Sequence, residues 1–109
     1  MKTIATIAIA LFTLLAVPLR AADVKTNWDN NCAQCHGKDG RADTKMGKQL
    51  SAKDLTDPKV QSAFTDAKAT QSIKEGVKQG GKTTMKAFGG KLTDDEIKAL
   101  VAYVRTLKK

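Results

Sequence analysis

The clearest periodic pattern of apolar residues lies at the C-terminal end of the chain. Apolar side chains recur there with the spacing of an amphipathic helix that buries one face, at Ile97, Leu100, Val101, Val104 and Leu107. Thr93 and Glu96 precede this run with the spacing of a capping box, which predicts where the helix begins. Basic residues near its end suit the helix dipole.

A similar spacing predicts a helix before and through residues 32–36. Asp23 is a suitable N-cap, and Val24, Trp28 and Cys32 follow at intervals of four residues, so they share one face. Two glycines, Gly37 and Gly40, then predict a break in the helix.

The central part of the chain predicts two more helices and little else. Asp57 and Pro58 are a favourable helix start, and a further helix is predicted over Asp66–Gln79, ended by two consecutive glycines. Residues 41–57 are mixed in pattern and predict at most a short turn around Met46 and Leu50. Because no stretch alternates apolar and polar residues, we expect an all-α fold without strands.

The first 22 residues have the layout of a secretory signal peptide. Lys2 precedes an uncharged apolar stretch over 4–17, which is shorter than the roughly 20 residues that span a bilayer, and Pro18 and Arg20 follow it. We expect cleavage after Ala22 or Ala21, with an uncleaved membrane tether as the alternative. The remaining domain, residues 23–109, would then be exported, to the periplasm in a bacterium.

The charge of the chain is strongly basic. It has 19 basic and 11 acidic residues, a formal net charge of +8, and residues 1–22 hold only two of the basic ones. The remaining domain therefore keeps a charge of +6, which predicts docking on acidic partners or contact with an anionic membrane surface. Nucleic acid is not expected as a partner, because no series of aromatic residues is available for stacking on bases.

Both cysteines and the only histidine of the chain lie within five positions, Cys32-Ala33-Gln34-Cys35-His36. A zinc site would need a second pair of ligands, and a thioredoxin-like redox pair would need a nearby strand-helix unit. The pattern C-x-x-C-H is instead typical of covalent haem c attachment. Residues three apart share a helical face, so Cys32 and Cys35 can both bond the porphyrin edge, and His36 can ligate the iron.

A second axial ligand would have to be a methionine, because the chain has no other histidine. Met46 follows His36 by only ten residues, too few to reach the opposite face of the haem readily. It has Leu50 at helical spacing, so we predict that Met46 is a core residue. Met85 lies in a non-periodic segment between two glycine pairs, and we expect this segment to be a loop that covers the far face of the haem. We therefore predict His36 and Met85 as the axial ligands.

These motifs resemble those of the class I monohaem c-type cytochromes, in particular the cytochrome c6-like and cbb3-type domains. The resemblance covers nearly all of residues 23–109 and is based on CAQCHG, Gly37-Lys38-Asp39-Gly40, Met85-Lys86-Ala87-Phe88 and the ending KLTDDEIKALVAYVR. It implies about four helices around one covalent haem, with the first and last helices crossing where Trp28 meets Leu100 and Val104. The family often has proline after the methionine, whereas this chain has Lys86.

The resemblance implies a one-electron carrier between redox proteins, and we expect a monomer. Lys82 and Lys86 flank Met85, and this placement together with the charge of +6 predicts that they steer acidic partners. No general base, nucleophile or substrate pocket is evident in the sequence, so an enzyme is not expected. Two alternatives stay open. One is a five-coordinate haem protein that binds or senses a small ligand, and the other is a cytochrome subunit of a larger membrane redox complex.

Overall fold

The computed structural model describes residues 21–109, so the predicted signal peptide over 1–22 lies outside this range except for the backbone of its last two residues. The described part contains six helices and one hairpin. The helices are α1 (Ala21–Asn31), α2 (Ala33–His36), α3 (Lys45–Gln49), α4 (Pro58–Ser62), α5 (Asp66–Glu75) and α6 (Asp94–Thr106). The hairpin consists of β1 (Val77–Gln79) and β2 (Lys82–Met85). Among the described residues, no helix combines the length and the apolar character needed to cross a membrane.

The predicted start of the last helix is confirmed atom by atom. The Thr93 hydroxyl accepts a hydrogen bond from the Glu96 amide at 3.1 Å, and the Glu96 carboxylate accepts one from the Thr93 amide at 3.0 Å. The predicted apolar face is buried as far as Val104, whereas Leu107 lies at the C-cap and is only half-buried. This capping box satisfies two amides that the first turn would otherwise leave without partners.

Helix α1 packs against α6 with Trp28 at the centre of the contact. The Trp28 side chain is only 2% exposed, and its ring lies 5.3 Å from that of Tyr103. Near the start of α6 the Asn27 amide donates to the Glu96 carboxylate at 2.9 Å. The predicted crossing of the first and last helices is confirmed, since one buried cluster contains Trp28, Cys32, Ile73, Leu92, Ile97, Leu100, Val101 and Val104. Asp23, however, lies within the first turn of α1 and is not its N-cap.

The predicted helix over Asp66–Gln79 is too long, because α5 ends at Glu75. Gly76 has φ 77° and ψ 179°, and these angles are incompatible with a continued α-helix. Val77–Gln79 then pairs antiparallel with Lys82–Met85. Gly80 and Gly81 both have positive φ and form the turn of this hairpin, so the glycine pair is not a helix terminator.

The expectation of a fold without strands is therefore wrong for this hairpin, although the mostly helical character is confirmed. The strands have three and four residues. So short a strand gives too few positions for alternation to be recognised, and Val77 fits the spacing of the preceding helix equally well. The predicted start of α4 is confirmed, since the Asp57 carboxylate accepts the Lys59 amide at 2.9 Å and Pro58 occupies the first turn.

Truncation of the buried Leu100 side chain is expected to destabilise the fold. Leu100 is 1% exposed, so Leu100→Ala in the haem-loaded protein should lower the free energy of unfolding by about 2–5 kcal/mol through lost burial and a residual cavity. Guanidinium titration would measure it. Lys98→Ala on the exposed side of the same helix is the control and should change the free energy by less than about 0.5 kcal/mol. Equal losses for both variants would contradict this account of the core.

Candidate functional site

A short helical turn carries Cys32, Cys35 and His36. The Cys32 carbonyl accepts hydrogen bonds from the amides of Cys35 at 3.2 Å and of His36 at 2.9 Å. This i, i+3 and i, i+4 pattern is that of a helical turn. Cys32 and His36 line the cavity described below, whereas Cys35 is not among its lining residues. No disulfide joins the two cysteines, and Cys32 is buried whereas Cys35 is half-buried. Burial raises the pKa of the Cys32 thiol to about 11, and the adjacent Cys35 adds to the shift.

The 44–47 segment packs against this turn and forms a hydrogen bond to it. The Thr44 hydroxyl donates to the Cys35 carbonyl at 2.9 Å and accepts from the Gly47 amide at the same distance. Gly47 lies so close to the Cys35 and Ala42 carbonyls that a side chain at this position would collide with them. Helix α3 therefore supports the turn through backbone contact, a role that the mixed pattern of this segment did not predict.

Trp28 helps to position His36 by a hydrogen bond to the adjacent residue, Gly37. The Trp28 indole N–H donates to the Gly37 carbonyl at 3.0 Å, and the Trp28 and His36 rings lie 5.8 Å apart. Gly37 has φ 77° and ψ 155°, a conformation that only glycine adopts readily. Burial lowers the pKa of His36, so its imidazole is neutral at pH 7, the form that ligates a metal. Its Nδ1 is buried and has no hydrogen-bond partner in the described part of the chain.

A cavity of about 390 Å³ opens beside this turn. That volume is within the range of roughly 300–1,000 Å³ typical of small-molecule and cofactor sites. Cys32 and His36 contribute to its wall, and so does Met85 from the end of β2. The rest of the wall is mostly apolar and comes from Trp28, Leu55, Val60, Ala63, Phe64, Ala69, Ile73, Val77, Leu100 and Val104, with Ser72 and two lysines.

Met85 and Met46 occupy different environments. Met85 is half-buried and packs against the buried cluster, whereas Met46 lies in α3 and is not part of the cavity wall. Of the two candidates, only Met85 therefore shares a cavity with His36. The prediction that Met85 lies in an irregular loop is wrong, because Met85 is the last residue of a strand. The strand pairing positions it by backbone hydrogen bonds to β1.

The wall formed by residues 55–64 is fastened to α6 by two polar side chains. Gln61 is 3% exposed, and its amide donates to the carbonyls of Leu55 at 2.6 Å and Val104 at 2.8 Å. The Arg105 guanidinium donates to the Gln61 carbonyl at 2.6 Å and the Phe64 carbonyl at 2.8 Å, and it lies over the Phe64 ring at 4.4 Å. These bonds keep a segment with only one short helix in place as a cavity wall.

Lys53 and Lys68 are the residues of this site that sequence reasoning missed. Both are exposed overall, yet both contribute to the otherwise mostly apolar wall. In the sequence they resemble the other solvated lysines, and no motif distinguishes them. Only the folded chain brings residues 53 and 68 to the wall of the same cavity.

The residues present fit a haem. One neutral imidazole, one thioether and one buried cysteine face a cavity that is mostly apolar, and nitrogen and sulfur are the donors that haem iron takes in electron-transfer proteins. A large apolar cavity lowers the stability of a domain of this size unless something fills it. The donor set and the wall together therefore suit a planar, largely apolar iron cofactor.

Comparison with known proteins agrees with this chemistry. The family model described as "Cytochrome C oxidase, cbb3-type, subunit III" matches residues 20–104. Cytochrome c6 of a Synechococcus species is 37% identical over 111 residues, which cover 95% of this chain and 91% of that protein. The cbb3-type cytochrome c oxidase subunit FixP of Azorhizobium caulinodans is 39% identical over 77 residues, which cover 71% of this chain.

The extent of these similarities differs. The matched region is only 24% of the FixP subunit, so this chain spans about a quarter of that relative. A solved structure described as "KustC0563 c-type cytochrome" superimposes with a TM-score of 0.69 at 35% identity and covers 78% of this chain and 96% of that one. The chain therefore belongs to the cytochrome c family, as a monohaem cytochrome with covalently attached haem c.

Proposed function

We propose that this protein transfers single electrons with its haem iron held between His36 and Met85. Membership of the family makes the chain a haem c electron carrier, and the ligand pair is the finer part of the proposal. The observation that carries it is that His36 and Met85, nearly fifty residues apart in sequence, line one cavity together with Cys32.

The chain's own residues would each have a defined task. Cys32 and Cys35 would hold the haem through thioether bonds, and His36 would ligate the iron as a neutral imidazole. When bound, the haem supplies a reversible one-electron change at iron. Met85 would occupy the sixth position, where its soft thioether favours the ferrous state and raises the reduction potential. The apolar wall excludes water, which works in the same direction.

Lys53 and Lys68 would serve the polar edge of the cofactor. A haem carries two propionate carboxylates, and burying such charges without partners is costly. The two lysines are the cationic side chains in the cavity wall, and neither forms an ion pair with a described residue. We therefore assign them to the neutralisation of the propionates.

We further propose that residues 1–22 are a cleaved signal peptide and that residues 23–109 act outside the cytoplasm, in the periplasm or an equivalent compartment. The layout of the segment over 1–22 supports this.

Electron transfer is the whole of the proposed activity, without an enzymatic reaction. The near-complete coverage of cytochrome c6 favours a separate monomeric carrier, and the similarity to part of FixP is the observation behind the alternative of an oxidase-complex subunit.

The charge distribution supports acidic redox partners. Between Asp66 and Asp94 the sequence has six lysines but only one acidic residue, Glu75. Two lysines elsewhere are paired within the fold, Lys25 with Asp29 at 3.3 Å and Lys48 with Asp43 at 3.0 Å. The hairpin lysines Lys78, Lys82 and Lys86 form no ion pair with a described residue, so their positive charge is not compensated within the fold. An anionic membrane surface would be attracted by the same charges.

Met85→Ala is expected to open the sixth position of the iron. The ferric protein should lose the weak red sulfur-to-iron absorption band, and the ferrous protein should bind carbon monoxide rapidly, because no thioether competes for the iron. The reduction potential should fall as well. Absorption spectroscopy, carbon monoxide mixing and redox titration measure these effects.

Met46→Ala is the matched control for this experiment, since it removes the same side chain outside the cavity wall. It should leave the band, the slow carbon monoxide reaction and the potential unchanged. A wild-type protein that lacks the band and binds carbon monoxide rapidly would contradict the ligand pair and favour the five-coordinate, ligand-binding alternative.

Removal of two hairpin charges should slow reaction with anions. In Lys82→Gln/Lys86→Gln, oxidation of the ferrous protein by hexacyanoferrate(III) should slow by about twofold to fivefold at low salt, and the difference should vanish near 1 M salt, where the screening length is about 3 Å. The cationic oxidant tris(phenanthroline)cobalt(III) should react faster with this variant. Stopped-flow spectroscopy measures both rates.

The control for this prediction is Lys25→Gln/Lys48→Gln, which removes the same charge from lysines that are paired within the fold. It should change the two rates by much less than the hairpin variant. Equal effects of the two double variants would mean that total charge governs the reaction, and the assignment of the hairpin side as the docking surface would then be wrong.

A further inference from the structure

Gly76 joins α5 to the hairpin in a conformation that other residues rarely adopt. Its φ of 77° and ψ of 179° lie in the region that is essentially restricted to glycine. A residue with a side chain would pay a conformational penalty here even if the surrounding space were empty. The surrounding space is not empty, because the strand that ends in Met85 returns to this point.

The backbone around Met85 packs directly against the α-carbon of Gly76. A β-carbon at position 76 would lie 2.7 Å from the Met85 carbonyl oxygen, 3.0 Å from the Ala87 nitrogen and 3.2 Å from the Lys86 carbonyl carbon. All three are backbone atoms, so no side-chain rotation could relieve the collision. A side chain at this position would therefore have to move the end of β2.

Two hydrogen bonds hold the chain after Met85 against the end of α5. The Phe88 amide donates to the Ile73 carbonyl at 2.9 Å, and the Gly89 amide donates to the Lys74 carbonyl at 3.1 Å. They satisfy two carbonyls that the last turn of α5 leaves without helical partners. We call Gly76, residues 85–89 and these two bonds the hairpin base.

We propose that Gly76 is a positioning residue for Met85. Because it has no side chain, the hairpin base closes, and closure sets how deeply the Met85 side chain reaches into the haem cavity. A substitution that opens the base moves Met85 outward and weakens its hold on the iron. This inference rests on the His36 and Met85 ligand pair proposed above.

Gly80 in the same hairpin is the matched comparison. It also has a positive φ, 59°, but a β-carbon there would meet no atom within 4 Å. Gly80→Ala therefore introduces unfavourable backbone conformation in the hairpin without any collision at its base. The pair of variants separates an effect of hairpin strain from an effect of the contact with Met85.

The experiment compares Gly76→Ala and Gly80→Ala as haem-loaded proteins. In Gly76→Ala we expect the red sulfur-to-iron band of the ferric protein to weaken by at least half and carbon monoxide association with the ferrous protein to accelerate by about tenfold or more, the order of effect that such strain produces. Gly80→Ala should resemble the wild type in both measurements. An unchanged Gly76→Ala, or an equal effect of Gly80→Ala, would overturn the proposal.

A second comparison tests whether Gly76 acts through Met85 and not by loosening the whole cavity. In a Met85→Ala background, adding Gly76→Ala should leave the carbon monoxide rate unchanged, because the ligand it positions is already absent. A further acceleration would overturn the positioning role. If Gly76→Ala does not yield haem-loaded protein, Gly89→Ala takes its place, since a β-carbon there would lie 2.9 Å from the Lys74 carbonyl oxygen in the same base.

Gly89→Ala should also weaken the band and accelerate carbon monoxide binding, and a variant identical to the wild type would overturn the proposal. The wild-type protein distinguishes the two levels of inference. If it shows the band while both base variants leave it intact, only the role of the hairpin base fails. If the wild type itself lacks the band, the ligand pair fails, and the positioning role fails with it.

Discussion

The burial of Trp28 between α1 and α6 is the interaction on which the rest of this structure depends. One side chain, 2% exposed, fills the contact between the first and last helices, and an indole of this size contributes more apolar burial than most residues. The same indole donates to the Gly37 carbonyl and lies beside the His36 ring. The helix contact and the orientation of the predicted iron ligand are therefore parts of one arrangement.

The buried cluster and the cavity lie side by side and share residues. The wall takes residues from α1, α2, α4, α5, α6, both strands and the 53–55 loop, and it shares Trp28, Cys32, Ile73, Leu100 and Val104 with the buried cluster. A cofactor that fills this space adds the apolar contacts that so short a chain cannot make alone. Binding of the cofactor and stability of the fold are therefore linked, and polar contacts such as those of Gln61 hold the wall where helices are short.

The hairpin differs in kind from the rest of the fold. Helices α1 and α6 are held together by buried apolar side chains, whereas the base of the hairpin is held by backbone contact at Gly76 and by two backbone hydrogen bonds. It carries Met85 and several lysines without ion-pair partners among the described residues. The element that would complete the iron site is thus also the element that carries the lysines of the proposed docking surface.

The sequence by itself determined the features that depend on neighbours within four or five positions. The turn from Cys32 to His36, the capping box of Thr93 and Glu96 and the apolar face of α6 follow from helical spacing, and the structure has them as predicted. The chemistry of haem attachment was predictable for the same reason, since both cysteines and the histidine lie in one turn.

Only the tertiary structure decided the features that depend on distant backbone. The pairing of Val77–Gln79 with Lys82–Met85, the close approach of Gly76 to Met85 and the presence of Lys53 and Lys68 at one cavity require positions that local pattern does not encode. Gly80 and Gly81 were predicted to end a helix, and strand pairing makes them a hairpin turn instead. Spacing within one helical turn thus predicted the cofactor. Long-range packing determined that Met85 and the two lysines lie at the same cavity as His36.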